Sequence, residues 1–124
     1  MSINYGNVVR RMLQAIPEVH PFYEKEIEWS GEEEPGPHIV FGDVLNPYLI
    51  DLLKQDNQEE ELERIFSFFE EMAVSSDIKV QEVLAVTVME RLGDDPTVLK
   101  KAEKYMGPKT RMISDEIERF WGRR

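Results

Sequence analysis

The sequence predicts an all-α fold of six or seven short helices. Apolar side chains recur every three or four positions along most of the 124 residues, and the alternation typical of a strand is almost absent. Proline or glycine interrupts this pattern repeatedly, and in the second half only two to four residues separate one predicted helix from the next. Because such short connections make neighbouring helices antiparallel, we expect an orthogonal bundle or a short stack of antiparallel helical hairpins. A chain of this length is expected to form a single domain over 1–124.

Proline punctuates the first part of the chain. Residues 7–14 place their apolar side chains on one side and are predicted to form the first helix. Pro17 ends that helix and opens the next, at 17–29, because proline lacks an N–H and fits only the first turn of a helix. Residues 30–37 combine glycine, proline and glutamate, and we expect a flexible acidic loop there.

Two longer helices follow. Residues 39–55 are mostly apolar but contain Pro47, which predicts either one helix kinked at Pro47 or two short helices with Asn46 as the cap of the second. Residues 57–75 have the clearest helical pattern. Their apolar side chains form one stripe, which we expect to face the core: Leu62, Ile65, Phe66, Phe69, Met72 and Ala73.

Three helices complete the predicted fold. A polar cap at 75–77 precedes a helix over 78–92 that is apolar nearly all round and is therefore expected to be buried and central. Asp95 then caps a helix that opens with Pro96 and stops at the Gly-Pro pair 107–108. The last helix, 108–121, is expected to point four apolar side chains inward: Ile113, Ile117, Phe120 and Trp121.

The composition is typical of a soluble intracellular protein. With 41% apolar residues the chain can fill a core, and with no cysteine it can form neither disulfides nor thiolate zinc sites. The N-terminus lacks the basic start and apolar stretch of a secretory signal, and no apolar run is long enough to span a bilayer. We therefore expect a cytoplasmic protein without a membrane partner.

Charge is unevenly distributed along the chain. Residues 24–95 hold 20 acidic and 5 basic side chains, whereas residues 96–124 hold 8 basic and 4 acidic ones, within a net charge of −10. The surplus of acid disfavours nucleic acid as a partner, because phosphates would be repelled. The basic side chains near the C-terminus can pair with the acidic part inside the fold, or they can hold a second copy head to tail as a homo-oligomer.

The helix predicted at 57–75 concentrates carboxylates on the face opposite its apolar stripe. We call the following four residues the carboxylate ridge: Glu60, Glu63, Glu70 and Glu71. The ridge is either a solvated face or a docking surface for a basic protein partner. Phe68, off the centre of the apolar stripe, and Tyr48, just after Pro47, each either close the core or serve as aromatic anchors for that partner.

A metal site is the alternative for the same helix. The spacing Glu59-Glu60-x-x-Glu63 resembles the first half of the motif of all-α nucleotide pyrophosphatases of the MazG type. That resemblance implies Mg²⁺ held by four carboxylates, with a Glu-x-x-Asp pair on a second helix. The nearest candidates for that pair are Glu90 and Asp94, which are four residues apart. The implied activity is Mg²⁺-dependent nucleotide pyrophosphohydrolysis.

Other catalytic signatures are absent from the sequence. The two histidines, His20 and His38, stand beside prolines and lack the Glu-x-x-His spacing of di-iron bundles. There is neither a phosphate-binding Gly-x-x-x-x-Gly-Lys loop nor a nucleophile elbow. We therefore expect no catalytic residue and no cofactor.

Three stretches carry a family resemblance: VFGDVLNPYL at 40–49, FFEEM at 68–72 and YMGPK at 105–109. They resemble a group of small, acidic, uncharacterised bacterial proteins and, more loosely, the helical immunity proteins that neutralise polymorphic toxins. None of the three is a catalytic signature, so we expect them to serve the fold. The resemblance to immunity proteins implies binding of a cognate toxin, often a basic nuclease, and obstruction of its active site.

The sequence thus favours a non-enzymatic protein-binding module whose acidic face docks a basic protein, with neutralisation of a toxin domain as the specific hypothesis. Two alternatives remain at this point. One is the Mg²⁺-dependent pyrophosphohydrolase, and the other is a self-associating structural or regulatory module.

Overall fold

The structure of the protein, a computed structural model, describes residues 2–31 and 34–123, which form seven helices and no strand. The helices are numbered in chain order: α1 (Val8–Ala15), α2 (His20–Ser30), α3 (37–53), α4 (Glu59–Ala73), α5 (78–93), α6 (Pro96–Glu103) and α7 (Pro108–Phe120). A 3-10 turn at Pro17–Val19 leads into α2. The prediction of an all-α fold is therefore confirmed.

Helix α5 lies at the centre of the molecule, where it packs against α3, α4, α6 and α7. Its inward side chains are fully buried: Val80, Val83, Leu84, Val88, Met89 and Leu92. Helix α5 is central, as expected, but it is not buried throughout, because Ile78 and Val86 are exposed. The four neighbouring helices thus cover much of α5 and leave part of its surface open to solvent.

Helix α3 runs without interruption through Pro47. Its middle, Phe41–Leu45, is a π-helical turn in which the N–H of Asn46 donates to the carbonyl of Phe41, five residues earlier. Pro47 has no N–H to donate, and the widened turn before it lets the helix continue where an α-helical turn would meet the proline ring. Of the two alternatives for this segment, the structure selects the single helix, with Asn46 inside it and not capping a second one.

A second π-helical turn, Val83–Met89 in α5, packs against the one in α3. At this crossing Asn46 is buried, and its Nδ2 donates to the backbone carbonyl of Thr87 at 2.9 Å. Nearer the surface, Nδ1 of His38 lies 2.6 Å from Oγ1 of Thr87. These polar contacts tie α3 to α5 where their two π-helical turns cross.

Two of the predicted helix caps are formed as expected. The carboxylate of Asp77 accepts from the N–H of Lys79 at the start of α5. The carboxylate of Asp95 accepts from the N–H groups of Thr97 and Val98 at the start of α6. Both carboxylates satisfy N–H groups that have no partner within the helix.

Helix α7 presents a different face to the core from the one expected. Phe120 and Trp121 are 77% and 53% exposed, so their predicted inward positions are wrong. Ile113 and Ile117 are only half-buried. The buried side chains of α7 are polar: Thr110, Ser114 and Glu118. A helix can bury polar side chains when the neighbouring elements supply hydrogen-bond partners, and Thr110 and Glu118 both have such partners.

The segment predicted as an acidic loop at 30–37 is shorter than expected. Ser30 is the last residue of α2, Gly31 follows in a left-handed conformation with φ of 75°, and Pro37 already opens α3. Glu32 and Glu33, which carry much of the predicted acidity, lie outside the described residues. In the part of the chain that is described, no helix combines the length and apolar character needed to cross a membrane.

Candidate partner-binding surface

The carboxylate ridge does not form one continuous surface in the structure. Its first two members, Glu60 and Glu63, are exposed on the first two turns of α4. Neither has a hydrogen-bond or ion-pair partner among the residues that the structure describes. These two carboxylates are therefore accessible to a partner, whereas the other two are engaged within the molecule.

Glu70 is half-buried and caps the N-terminus of α7. Its carboxylate accepts from the N–H of Lys109 at 3.0 Å and from both the N–H and the hydroxyl of Thr110 at 2.9 Å. Burial by itself raises the pKa of the Glu70 carboxyl, but the hydrogen bonds from Thr110 and Lys109 outweigh it and hold the pKa below its usual value. Glu70 is thus a structural cap and not an available partner-binding residue.

Gly107, directly before α7, is required for this cap. A Cβ atom at position 107 would stand 2.5 Å from Cδ of Glu70, closer than non-bonded carbons approach. The contact joins two of the stretches that carry the family resemblance, 68–72 and 105–109. This agrees with the expectation that they serve the fold.

Glu71, the last member of the ridge, is exposed but lies 3.5 Å from the guanidinium of Arg11 on α1. An exposed pair at this distance contributes little to stability, about 0–1 kcal/mol. It nevertheless places a positive charge beside Glu71. A basic partner would therefore find less uncompensated negative charge here than at Glu60 and Glu63.

The two candidate aromatic anchors occupy different environments. Phe68 is only 2% exposed and belongs to the core, so its place among the partner-binding residues is wrong. Phe68 lies on the side of α4 that packs inward. Burial of this large apolar ring stabilises the fold although the ring lies away from the centre of the apolar stripe. Tyr48 is half-buried, and its hydroxyl donates to the carboxylate of Glu61.

The surroundings of Tyr48 include side chains that the sequence did not single out. Burial first, and the carboxylate of Glu61 second, raise the pKa of Tyr48 above its usual value. The ring of Phe22 from α2 stands 6.0 Å from that of Tyr48, centroid to centroid, and Phe22 is 47% exposed. Phe22 and Tyr48 therefore form an aromatic edge beside Glu61, and Phe22 brings this edge to the surface of the molecule.

Arg64 joins the same surface from the next turn of α4. Its guanidinium donates to both oxygens of Glu18 in a fork and to the carbonyl of Ala15 at 2.7 Å. The hydrogen bond from Arg64 lowers the pKa of the Glu18 carboxyl. Beside this fork lies a depression of about 290 Å³, with Glu60 and Glu61 in its wall. As the only basic side chain in an acidic run, Arg64 could have indicated this ion pair, but nothing in the sequence indicated Glu18 as its partner.

The alternative metal ligands are not brought together. Glu59, Glu60 and Glu63 stand at the start of α4, whereas Asp94 follows the end of α5 and is held by Arg123 at 3.0 Å. Within residues 2–31 and 34–123, no three Asp, Glu or His side chains gather closely enough to hold a metal ion. The Mg²⁺ site assigned to Glu59, Glu60, Glu63, Glu90 and Asp94 is therefore not formed.

The basic side chains near the C-terminus are only partly used inside the fold. Arg123 pairs with Asp94 and Glu118, and Arg111 pairs with Glu103 and Asp115. By contrast, three lysines within α6 or directly after it have no acidic partner among the described residues: Lys100, Lys101 and Lys104. Pairing within the fold thus uses Arg111 and Arg123 and leaves these three lysines available.

The fold and this surface together define a small all-helical protein with an acidic face edged by aromatic side chains. The family model described as "Domain of unknown function (DUF7674)" matches residues 9–122, from the second residue of α1 to just beyond α7, and the chain belongs to this family. No curated protein and no solved structure matches the chain. The comparisons therefore give no similarity to immunity proteins.

Proposed function

We propose that this protein is a non-enzymatic protein-binding module whose acidic face docks a basic protein. One observation carries the proposal: Glu60 and Glu63 are exposed on a 15-residue helix and have no partner among the described residues. Carboxylates three residues apart on a helix repel each other by about 0.2–0.5 kcal/mol. A basic side chain from a partner would replace this repulsion with attraction.

The aromatic edge supports the same surface as a docking site. Aromatic side chains carry much of the binding energy in protein interfaces, while surrounding charges steer the approach of the partner. Phe22 is exposed beside Tyr48, and Tyr48 is hydrogen-bonded to Glu61 in the wall of the acidic depression. In this proposal a lysine or arginine of the partner faces Glu60 in the depression, and Phe22 and Tyr48, which lie outside its lining, contact the partner beside it.

Neutralisation of a basic toxin is the specific form of this proposal. A nuclease binds phosphates with basic side chains, and an acidic surface of rigidly spaced carboxylates can occupy the same groups. Such a role needs no catalytic residue in the binding protein. It requires a partner that is basic, harmful to the cell when alone, and blocked by the acidic face.

The experiment compares capture by three forms of the tagged protein from a lysate of its own cells. E60K/E63K reverses the two accessible carboxylates, and E82K/E116K makes the same change in net charge at two exposed positions on α5 and α7. We expect one basic protein to be retained by the wild type and by E82K/E116K and to be lost from E60K/E63K. With that protein purified, E60K/E63K should associate more slowly and with a weaker dependence on salt.

Equal retention by all three forms would remove the acidic face from the proposal, and the absence of any retained protein at low salt would contradict the binding function. The toxin hypothesis has its own test. The captured protein, expressed alone, should stop growth, and co-expression of the wild type but not of E60K/E63K should restore it. A harmless partner would leave protein binding standing and exclude neutralisation of a toxin.

A further inference from the structure

A cleft of about 380 Å³ separates the start of α4 from the end of α6, on a different side of α4 from the acidic depression. Its floor is Leu53, Leu62 and Tyr105. Asp56 and Glu59 stand on one wall, and Lys101 and Lys104 stand on the other. The cleft therefore carries negative and positive charge side by side.

These four charges are not neutralised by one another. No ion pair within 4.0 Å involves Asp56, Glu59, Lys101 or Lys104 in the described part of the chain. Three arginines of the molecule behave differently, since Arg64, Arg111 and Arg123 all reach carboxylates. The charges of the cleft thus keep their full capacity for an external partner.

Negative charges on and near the acidic wall act on Tyr105, on the floor of the cleft. Burial first, and then the charges of Glu59 and Glu63, raise the pKa of Tyr105. Tyr105 is half-buried and packs with its ring centroid 6.0 Å from that of Phe66. Aromatic side chains are enriched at the centre of protein interfaces, whereas lysine, aspartate and glutamate are depleted there, so Tyr105 suits the centre of an interface and the four charges suit its rim.

A surface with this pattern is complementary to itself. When two identical patches meet about a twofold axis, each residue i of one copy contacts residue j of the other, and j contacts i. With the twofold axis along the cleft, between its two walls, the acidic wall of each copy faces the basic wall of the other. A partner that is only basic or only acidic would instead face a like charge on one wall.

We propose that a second copy of this chain docks in the cleft to form a closed twofold dimer, in which Lys101 and Lys104 of each copy face Asp56 and Glu59 of the other. The dimer is a separate proposal from the capture of a basic protein: Glu60 and Phe22 lie outside the cleft, although Asn57 and Gln58 line both the cleft and the acidic depression. Two copies would thereby present two acidic faces, so that a partner with two basic sites would bind more tightly through avidity.

The test uses two variants that reverse opposite walls, K101E/K104E and D56K/E59K. Each variant alone places like charges against each other at both contacts, so dimerisation should weaken by at least about tenfold. In an equimolar mixture the reversed walls face each other with opposite charge, and a heterodimer should form. Sedimentation equilibrium at about 0.15 M salt measures the masses, because the screening length of about 8 Å mutes the long-range repulsion between two acidic molecules.

Matched controls reverse the same number of charges away from the cleft. K25E/R119E and E82K/E116K should dimerise like the wild type. A monomeric wild type at millimolar concentration, a mixture that stays monomeric, or growth beyond two copies as concentration rises would each overturn the twofold dimer. Sedimentation of the purified chain detects the dimer without a basic protein, and E60K/E63K leaves all four charges of the cleft unchanged, so failure of one proposal is distinguishable from failure of the other.

Discussion

Glu70 is the residue through which α4 positions the start of α7. The N-terminus of a helix has unpaired N–H groups and a partial positive charge, and a carboxylate stabilises both. Glu70 reaches this position only because Gly107 has no side chain. Although the sequence places Glu70 on the acidic face of α4, its carboxylate holds the start of α7 in place.

Replacement of Glu70 should therefore change both stability and its dependence on pH. E70Q should lower the free energy of unfolding at pH 7 by about 0.5–2 kcal/mol, as for the loss of other N-terminal caps. Because the pKa of Glu70 is lower in the folded state, its contribution is present above the usual value of 4.5 and is lost as pH falls through the lowered folded value. Urea unfolding across acidic pH should show a shallower loss of stability for E70Q than for the wild type.

Two further variants separate the cap from a general charge effect. E63Q removes an exposed carboxylate of the same helix and should change stability by less than about 0.5 kcal/mol. G107A should destabilise the wild type but have little further effect in E70A, because the two residues share one contact. Additive effects of G107A and E70A would contradict the coupling.

At the scale of the element, α7 is held at both ends by carboxylates. Glu70 caps its first turn, and Glu118 near its end is only 4% exposed and lies 2.8 Å from Nη2 of Arg123. Gly122, with φ of 68°, turns the chain back so that the N–H of Arg123 donates to the carbonyl of Glu118. A left-handed glycine at this place is the usual end of a helix.

Removal of Arg123 should accordingly destabilise the end of α7. R123A leaves the carboxylate of Glu118 buried without its cation, which should cost roughly 1–3 kcal/mol, and R119A removes an exposed arginine of the same helix at little cost. Thermal or denaturant unfolding measures both. Equal stabilities for R123A and R119A would mean that water replaces the guanidinium and that the contact does not hold α7.

At the scale of the whole molecule, the net charge of −10 sets the balance between ion pairs and repulsion. The arginine pairs are short-range contacts, such as Arg64 with Glu18 and Arg123 with Asp94. The unpaired carboxylates repel each other over longer distances and oppose the compact state. Salt screens the second effect more strongly than the first.

The midpoint of thermal unfolding should therefore rise with salt. An increase from about 0.01 M to about 0.15 M NaCl shortens the screening length from about 30 Å to about 8 Å. The rise should be smaller for E28Q/E82Q, which removes two exposed negative charges. A midpoint that falls with salt would show that the ion pairs contribute more than the repulsion costs.

The sequence by itself determined the local structure of this protein. Helix type and approximate bounds follow from the spacing of apolar residues, from Asp77 and Asp95 as caps and from proline at helix starts. These signals are local, because a helix satisfies its backbone hydrogen bonds within itself and its caps lie within a few residues. Glu60, Glu63, Glu70 and Glu71 could be placed on the outer face of one helix in the same way, but that face alone did not distinguish the two accessible carboxylates from the two engaged ones.

Only the tertiary structure decided which helix faces meet and which side chains are consumed by those contacts. Glu70 caps the start of a helix 40 residues further along the chain. Phe68 is buried in the core, whereas Phe120 and Trp121 are exposed. The face that α7 buries is polar because Glu70 and Arg123 provide hydrogen-bond partners for its side chains. The spacing of apolar residues along α7 does not show that these partners exist. Packing selects among the faces of a helix by the groups that the neighbouring elements offer, and those groups are distant in sequence.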